Sequence, residues 1–337
     1  MSEIAVIGAG AWGTALAIIL GRKGSHRIHL WAHDPQVCDT IRRSRVNDKF
    51  LADCPIPESV LVTDDLSTAL AQAQIVVGAM PSQHSRQISE RMRPHIHRDA
   101  LIVSATKGLE GRTLLRMTEV IREVLQQTNQ HSPRIGALSG PSFALEAARG
   151  DPTAITIASK DSDLAQVVQQ EFSDARFRVY TNNDVIGVEL GGALKNVVAI
   201  AAGICDGLGL GHNSIAGLIT RGLAEITRLV VACGGRAETM AGLAGLGDLV
   251  LTCTGALSRN RSVGVELGRG RALPEIIAAM HGMVAEGVFT TTAAADLARS
   301  RNIEMPITEQ INAILNHGKS PHDAIQDLMM RSGKSET

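Results

Sequence analysis

Short apolar runs alternate with longer segments of helical apolar spacing through the first half of the chain. The apolar run 4–7 gives way to a glycine turn and then to the apolar segment 14–20, which predicts a strand followed by a helix. Further strands are predicted at 27–31, 60–62, 75–80, 101–104, 135–138, 153–158 and 176–180, with helices at 35–45, 65–73, up to 92, 114–125 and 163–172. This alternation predicts an α/β domain with a doubly wound, mostly parallel sheet.

From residue 184 onward the apolar spacing is helical, and no strand pattern is convincing. The segment 196–204 is apolar on every side apart from Asn196, which predicts a buried central helix. The next helix is predicted to begin at a cap formed by Asn213 or Ser214 and to end at Gly234-Gly235. Helices at 273–280, 291–300, 308–316 and 321–330 complete an all-α domain. We therefore expect a Rossmann-type domain over residues 1–186 and an all-helical C-terminal domain over 187–337.

The turn after the first strand carries the pattern G-x-G-x-x-G at Gly8, Gly10 and Gly13. A turn of this kind presents backbone N–H groups at a helix N-terminus, where the helix dipole favours a pyrophosphate. An acid that binds ribose hydroxyls is expected about 20 residues later, and Asp34 lies at that distance. His33 beside it could instead help to hold a 2′-phosphate. The turn predicts a site for NAD or NADP, against the alternative of a purely structural glycine turn.

Three later strand ends carry turn or polar residues, namely Pro81-Ser82, Thr106-Lys107 and Ser139-Gly140. Open parallel sheets bind ligands beyond the carboxyl ends of their strands, so we expect these residues to surround one crevice with Gly8. Taken singly, each has a simpler interpretation, because proline and glycine are ordinary turn residues and a lysine after a strand is usually solvated.

Lys195 stands at the edge of the apolar central helix, directly before Asn196. A lysine in such surroundings loses hydration, which lowers the pKa of its ammonium group and suits it to proton transfer near neutral pH. The alternative is a side chain that extends outward to water.

The glycine-rich segment 241–254 contains Asp248, and its glycines would weaken a helix unless they allow a close approach. The tetrapeptide Ser258-Arg259-Asn260-Arg261 follows it and offers donors for an anion, since arginine can bind phosphate through two N–H groups. A solvated basic turn is the alternative interpretation.

The composition of the chain excludes several kinds of partner and cofactor. The 33 basic and 34 acidic residues leave a net charge of −1, and aromatic residues make up only 2%, so neither a nucleic acid nor a membrane is expected as a partner. The five cysteines form no C-x-x-C pair and are expected to be reduced core residues. The eleven histidines show no metal-binding spacing, so no metal is expected. We expect a soluble cytoplasmic protein.

Six motifs together resemble the bacterial NAD(P)-dependent sn-glycerol-3-phosphate dehydrogenase family. They are, in chain order, GAGAWGT at 8–14, SATKG at 104–108, LSGPSFA at 138–144, GGALKN at 191–196, AGLGD at 244–248 and SRNR at 258–261. The resemblance spans nearly the whole chain. It implies hydride transfer between NAD(P)H and a small three-carbon phosphate, interconverting dihydroxyacetone phosphate and sn-glycerol 3-phosphate for glycerophospholipid synthesis in the cytoplasm.

The resemblance also implies roles for individual residues. Lys195 would be the proton donor and acceptor, with Lys107 and Asp248 orienting it. The substrate-binding positions would be Lys107, Gly140, Ser142, Lys195, Asp248, Ser258, Arg259 and Asn260. Those for the cofactor would be Trp12, His33, Lys107, Ala144, Arg259, Val284 and Glu286, in addition to Gly8, Gly10, Ala11 and Gly13 of the turn. Ala11 departs from relatives, which often carry serine there.

Two other functions stay open at this point. One is a related Rossmann-type dehydrogenase that acts on another phosphorylated or carboxylated hydroxy compound. The other is a non-catalytic dinucleotide sensor, which would not need a buried lysine beside an anion site. An apolar helical domain is also compatible with a homodimer.

Overall fold

The computed structural model describes residues 2–126, 132–333 and 335. One eight-stranded sheet has the order β3-β2-β1-β4-β5-β6-β7-β8. Its strands are β1 Ser2–Ile7, β2 His26–Trp31, β3 Val60–Thr63, β4 Ile75–Gly78, β5 Leu101–Ser104, β6 Arg134–Ser139, β7 Thr153–Ala158 and β8 Phe177–Asn182. Only the pairing of β6 with β7 is antiparallel among these strands. The prediction of a doubly wound, mostly parallel sheet is confirmed.

Helices cover both faces of this sheet. They are α1 Ala11–Arg22, α2 Pro35–Ser44, α3 Leu66–Leu70, α4 Ser85–Met92, α5 Met117–Gln126, α6 Ala144–Arg149 and α7 Ser162–Phe172. Successive side chains of a strand point to opposite faces, so Ile4 and Val6 enter one core cluster while Ala5 and Ile7 enter another. The central strands β4 and β5 are largely apolar and buried on both faces, whereas β2, β3 and β8 each have exposed positions.

The helical part begins with α8 Val185–Gly207, around which most of the later helices pack. They are α9 His212–Ala232, α10 Ala237–Met240, a π-helical turn Leu243–Gly247, α11 Asp248–Thr254, α12 Arg259–Gly268, α13 Leu273–Ala279, α14 Glu286–Ser300, α15 Pro306–His317 and α16 Pro321–Met329. By length and composition alone α8 could cross a membrane, but 89% of its most apolar window is buried inside the protein. It is the core helix predicted from segment 196–204.

Glycines let α8 and α12 approach at backbone distance. A Cβ atom added to Gly203 would overlap the carbonyl oxygen of Arg261, and one added to Gly264 would overlap that of Ile200. Gly207 and Gly268 repeat this contact one turn further along. We call these four glycines the glycine seam, and it fixes the two helices against each other.

Three predicted helix starts are wrong. Helix α5 begins at Met117 and not at residue 114, because Leu114 has a left-handed backbone (φ +60°) that ends any helix there. Gly211, and not Asn213 or Ser214, is the N-cap of α9. Helix α14 begins at Glu286, five residues before the predicted start, in a segment whose apolar spacing is uninformative.

The predicted division of the chain after residue 186 lies in the first turn of α8 and stays a prediction. All five cysteines are free thiols, and all but Cys233 are buried. Among the described residues, no group of three or more His, Cys, Asp or Glu side chains is placed to hold a metal ion.

Candidate active site

The glycine turn connects β1 to α1 in a conformation that other residues would not adopt. Gly8 has φ +117°, its N–H donates to the carbonyl of Trp31 (3.1 Å), and a Cβ atom there would press on the carbonyl of Ala79. A Cβ atom on Gly13 would overlap the carbonyl oxygen of Gly8, so α1 packs directly against the turn.

No side chain caps the N-terminus of α1, and the space beside Gly10 is free of protein atoms. Gly10 is its N-cap and provides no side-chain oxygen to the first N–H groups of the helix. A Cβ atom on Gly10 would meet no protein atom within 4 Å. Half-buried Ala11 and Trp12 form the first turn. This cradle of backbone donors fits a pyrophosphate, as the G-x-G-x-x-G pattern predicts.

Two lysines from different parts of the fold share one buried carboxylate. Asp248, the first residue of α11, accepts from Lys195 Nζ at Oδ1 (2.6 Å) and from Lys107 Nζ at Oδ2 (2.7 Å). Asp248 is only 1% exposed, and Lys195 is buried on α8. The three groups carry a net charge of +1, which favours an anionic ligand.

Lys107 also ties this cluster to the end of the sheet. Its Nζ donates to the carbonyl of Gly140 (2.9 Å) and lies 3.4 Å from Ser142 Oγ. Gly140 has φ +136°, and this left-handed turn after β6 directs its carbonyl toward the lysine. All three protons of Lys107 therefore face protein oxygens, so its charge and its contacts position the cluster rather than deliver a proton.

Thr252 is a member of the cluster that the sequence analysis missed. Its Oγ1 accepts from Lys195 Nζ (2.6 Å) and donates to the carbonyl of Asp248 (2.6 Å). The signal was present in the spacing, because residues four apart lie on one face of a helix and Thr252 follows Asp248 at that interval. Lys195 thus uses two of its three protons on protein oxygens, and the third remains for a substrate.

Burial sets the proton affinity of Lys195. Loss of hydration lowers the pKa of its ammonium group from 10.5 to about 8, although Asp248 acts in the opposite direction and Lys107 reinforces the decrease. Neighbouring Cys253 stays a thiol, because burial raises its pKa to about 12. The pKa of Lys195 therefore lies much closer to neutral pH than that of an ordinary lysine, as the sequence analysis predicts for a proton carrier.

The tetrapeptide 258–261, which is predicted to bind an anion, forms the start of α12 next to this cluster. Ser258 is the N-cap, and its buried Oγ accepts from the N–H of Arg261 (3.2 Å). Asn260 Nδ2 donates to Asn196 Oδ1 (2.9 Å), and Asn260 Oδ1 accepts from the N–H of Gly287 (2.8 Å). Asn196 follows Lys195 directly, so the tetrapeptide is joined to the lysine cluster by a hydrogen bond.

Arg259 and Glu286 lie close enough for their charges to interact. Arg259 reaches solvent, but partial desolvation of its guanidinium lowers its pKa, while the nearby Glu286 carboxylate opposes that shift. Glu286 accepts from the N–H (3.1 Å) and the hydroxyl (2.6 Å) of Ser82, which follows β4. Burial raises the pKa of Glu286. This contact connects α14 to the end of the sheet.

The remaining predicted cofactor residues lie around the carboxyl edge. His33 is exposed just after β2, Ala144 is the first residue of α6, and half-buried Val284 lies in the loop before α14. Asp34 is the N-cap of α2, where its Oδ1 accepts from the N–H of Gln36 (2.9 Å). Asp34, the acid expected to bind the ribose, therefore uses one carboxylate oxygen to cap α2.

Two family models match the chain one after the other. Residues 3–165 match the N-terminus of NAD-dependent glycerol-3-phosphate dehydrogenase, and residues 184–326 match its C-terminus. The chain belongs to this family. The resemblance carried by the six motifs is confirmed.

Two curated relatives match the chain over its whole length. The glycerol-3-phosphate dehydrogenase [NAD(P)+] of Koribacter versatilis is 66% identical over 336 residues, covering 100% of this chain and 99% of the relative. That of Acidobacterium capsulatum is 55% identical over 339 residues and covers 100% of both.

Solved structures of this dehydrogenase family have the same fold. Glycerol-3-phosphate dehydrogenase from Coxiella burnetii is 42% identical, with a TM-score of 0.93 over 98% of this chain and 99% of that one. A ketopantoate reductase from Ralstonia eutropha, at 16% identity and a TM-score of 0.61, shares the fold alone. The roles of individual residues stay predictions, supported by the geometry above.

Proposed function

We propose that this chain is an NAD(P)-dependent glycerol-3-phosphate dehydrogenase that interconverts dihydroxyacetone phosphate and sn-glycerol 3-phosphate. The observation that carries the proposal is the buried Lys195–Asp248–Lys107 cluster beside the phosphate-binding tetrapeptide, on the sheet edge that holds the glycine turn. Family membership supports the same reaction. A dinucleotide sensor would have no use for a lysine whose burial lowers its pKa to about 8.

Lys195 supplies the proton that the reaction requires. In the reductive direction its ammonium donates the proton not used by Asp248 and Thr252 to the carbonyl oxygen of the substrate, which becomes a secondary hydroxyl. In the oxidative direction the neutral amine takes that proton back. The bound nicotinamide supplies or accepts the hydride. Asp248, Thr252 and Lys107 hold Lys195 in place, and the net positive charge stabilises negative charge on the oxygen.

Arg259 and Asn260 bind the phosphate of the substrate in this proposal. Arg259 offers a planar pair of N–H donors in a partly desolvated cleft, and the second N–H of Asn260 is left after its bond to Asn196. The phosphate lies away from the reacting carbon, so its binding energy positions the carbonyl at Lys195.

The test is the reduction of dihydroxyacetone phosphate, followed by the loss of absorbance of the reduced nicotinamide. Turnover with this substrate, and little with unphosphorylated dihydroxyacetone or a three-carbon hydroxy acid, is the expected result. Faster turnover with a carboxylated substrate would assign the chain to another dehydrogenase activity. Cofactor binding without turnover on any of these substrates would indicate a sensor.

We further infer that the enzyme works in the cytoplasm, where its product supplies the backbone of glycerophospholipids. The burial of α8 inside the protein supports a chain that does not insert into membranes. The near-neutral charge supports the absence of a nucleic-acid partner. A homodimer stays a prediction, and sedimentation of the purified chain tests it.

A further inference from the structure

The acid expected to select NAD already has a protein partner at each of its carboxylate oxygens. Asp34 Oδ1 caps α2, and its Oδ2 lies 3.4 Å from Lys49 Nζ. The hydrogen bond from the backbone of Gln36 lowers the pKa of this carboxyl, so it is committed as an anion to the helix. In NAD-selective sites the corresponding acid accepts hydrogen bonds from the ribose hydroxyls.

Cationic side chains occupy the space around it. Arg91, near the end of α4, has one guanidinium nitrogen 3.4 Å from His33 Nδ1 and its Cζ 5.5 Å from the ring centre of Trp31. The ring of His33 lies 5.7 Å from that of Trp31. Since arginine only donates, His33 must accept at Nδ1 and carry its own proton at Nε2. The pair therefore presents N–H donors toward solvent.

Arg91 also differs from its neighbour on the same helix in having no acidic partner in the described part of the chain. Arg86, on the same helix, is paired with Glu110 and Glu123. Among the described residues, no carboxylate lies within 4 Å of the Arg91 guanidinium. Its charge is therefore available to an anionic ligand.

Hydrogen bonds from neighbouring residues hold the segments that carry His33 and Lys49 close to the glycine turn. The carbonyl of Trp31, two residues before His33, accepts from the N–H of Gly8 (3.1 Å). Asn47, two residues before Lys49, donates to the carbonyl of Ala9 in the same turn (2.9 Å). A dinucleotide whose pyrophosphate lies at the N-terminus of α1 directs its adenosine ribose toward the end of β2.

We propose that Arg91 binds the 2′-phosphate of NADP(H) and thereby determines a preference for NADP over NAD, with His33 and Lys49 as supporting donors. The fork of the guanidinium matches two oxygens of a phosphate, and its contact with Trp31 holds the fork in place. This inference rests on the proposed function for the use of the cofactor, but the site itself can be tested without the reaction.

The test compares adenosine 2′,5′-bisphosphate with adenosine 5′-phosphate by titration calorimetry on the full chain. The unaltered protein should bind the bisphosphate more tightly. Arg91→Ala should lose roughly 10- to 100-fold of that difference, as expected for hydrogen bonds to a charged group, and Arg91→Lys should retain part of it. The matched control is Arg43→Ala on α2, an exposed arginine that donates to the carbonyl of Asp39, has no carboxylate partner among the described residues and should not alter the preference.

Several results would overturn the proposal. Equal binding of the two nucleotides by the unaltered protein would show that no 2′-phosphate site exists. An equal loss for both nucleotides in Arg91→Ala would place the arginine at the adenine. A similar loss in Arg43→Ala would indicate only a general effect of charge.

Kinetics separate this inference from the proposed function. Arg91→Ala should lower the ratio of kcat/KM with NADPH to that with NADH, with dihydroxyacetone phosphate as substrate in both cases. An unchanged ratio would overturn the inference and leave the dehydrogenase function intact. Selective binding of the bisphosphate in a protein that reduces no substrate would support Arg91 and refute the function.

Discussion

Replacement of Lys195 is the most direct test of the catalytic cluster. With a pKa of about 8, about one Lys195 side chain in ten is neutral at pH 7, against about one in 3,000 for a lysine at the ordinary value of 10.5. Burial therefore increases the fraction able to accept a proton by about 300-fold. The same pKa leaves most of the enzyme protonated and ready for reduction.

These fractions predict opposite pH dependences for the two directions. The oxidation of glycerol 3-phosphate needs neutral Lys195, so kcat/KM should rise with pH and level off above about 8. The reduction of dihydroxyacetone phosphate needs the protonated form, so kcat/KM should fall as pH rises through the same value. Measurement of both profiles on one preparation tests the sign of the effect.

Lys195→Met fills most of the buried volume and removes the proton carrier. General acid–base groups contribute about 10²- to 10⁴-fold, so turnover should fall by that range while calorimetric binding of NADP+ is retained. In Lys195→Ala, methylamine should restore part of the rate by replacing the missing amine. The matched control is Lys160→Met, which changes an exposed lysine after β7 and should preserve the rate.

A Lys195→Met enzyme within threefold of the unaltered rate would refute the assignment. The same conclusion would follow if the pH profiles of the two directions moved together. Loss of NADP+ binding in Lys195→Met would contradict the prediction that Lys195 acts in proton transfer and not in cofactor binding.

Three further predictions concern the surroundings of this lysine. Lys107→Met removes a positive charge that lowers the pKa of Lys195, so the inflection of the oxidation profile should move to higher pH; a shift to lower pH would contradict this arrangement. Arg259→Lys should lower kcat/KM for the phosphorylated substrate, and Arg259→Ala should lower it further, by about 2–5 kcal/mol. The slow reduction of dihydroxyacetone should change little. A proportionate loss on both substrates would place Arg259 at the chemical step. Gly203→Ala should lower the free energy of unfolding by about 1–3 kcal/mol or more, because its Cβ atom would overlap the carbonyl of Arg261, and an unchanged denaturant midpoint would exclude that contact.

Secondary structure was predicted best from the sequence where the apolar residues follow a single spacing. The central strands of the sheet are buried on both faces, so they are short apolar runs between glycine, proline or polar residues, and all eight predicted strands are present. The start of α5 was missed because a left-handed backbone at Leu114 leaves no trace in apolar spacing. The antiparallel pairing of β7 likewise depends on how the chain crosses the sheet, and not on the composition of the strand.

The candidate site shows the same limit. Lys195 and Asp248 were identifiable because a charged residue in apolar or glycine-rich surroundings is unusual. Thr252 was not, since a threonine inside a helix is unremarkable until its partners are known. Asp34 matched the spacing of a ribose-binding acid, but an acid before a proline at a helix start is equally suited to capping, and the cap formed.

The glycine seam fixes the position of α12, which carries Arg259, relative to α8, which carries Lys195. Lys195 and Arg259 each stand one residue before an asparagine of the bonded pair Asn196 and Asn260, on two helices that cannot slide past each other. The separation between the backbone of Lys195 and that of Arg259 is therefore fixed by the packing of the two helices. With Lys195 as the proposed proton carrier and Arg259 as the proposed phosphate anchor, we expect a phosphate ester with one carbon more or fewer between its carbonyl and its phosphate to be a poorer substrate.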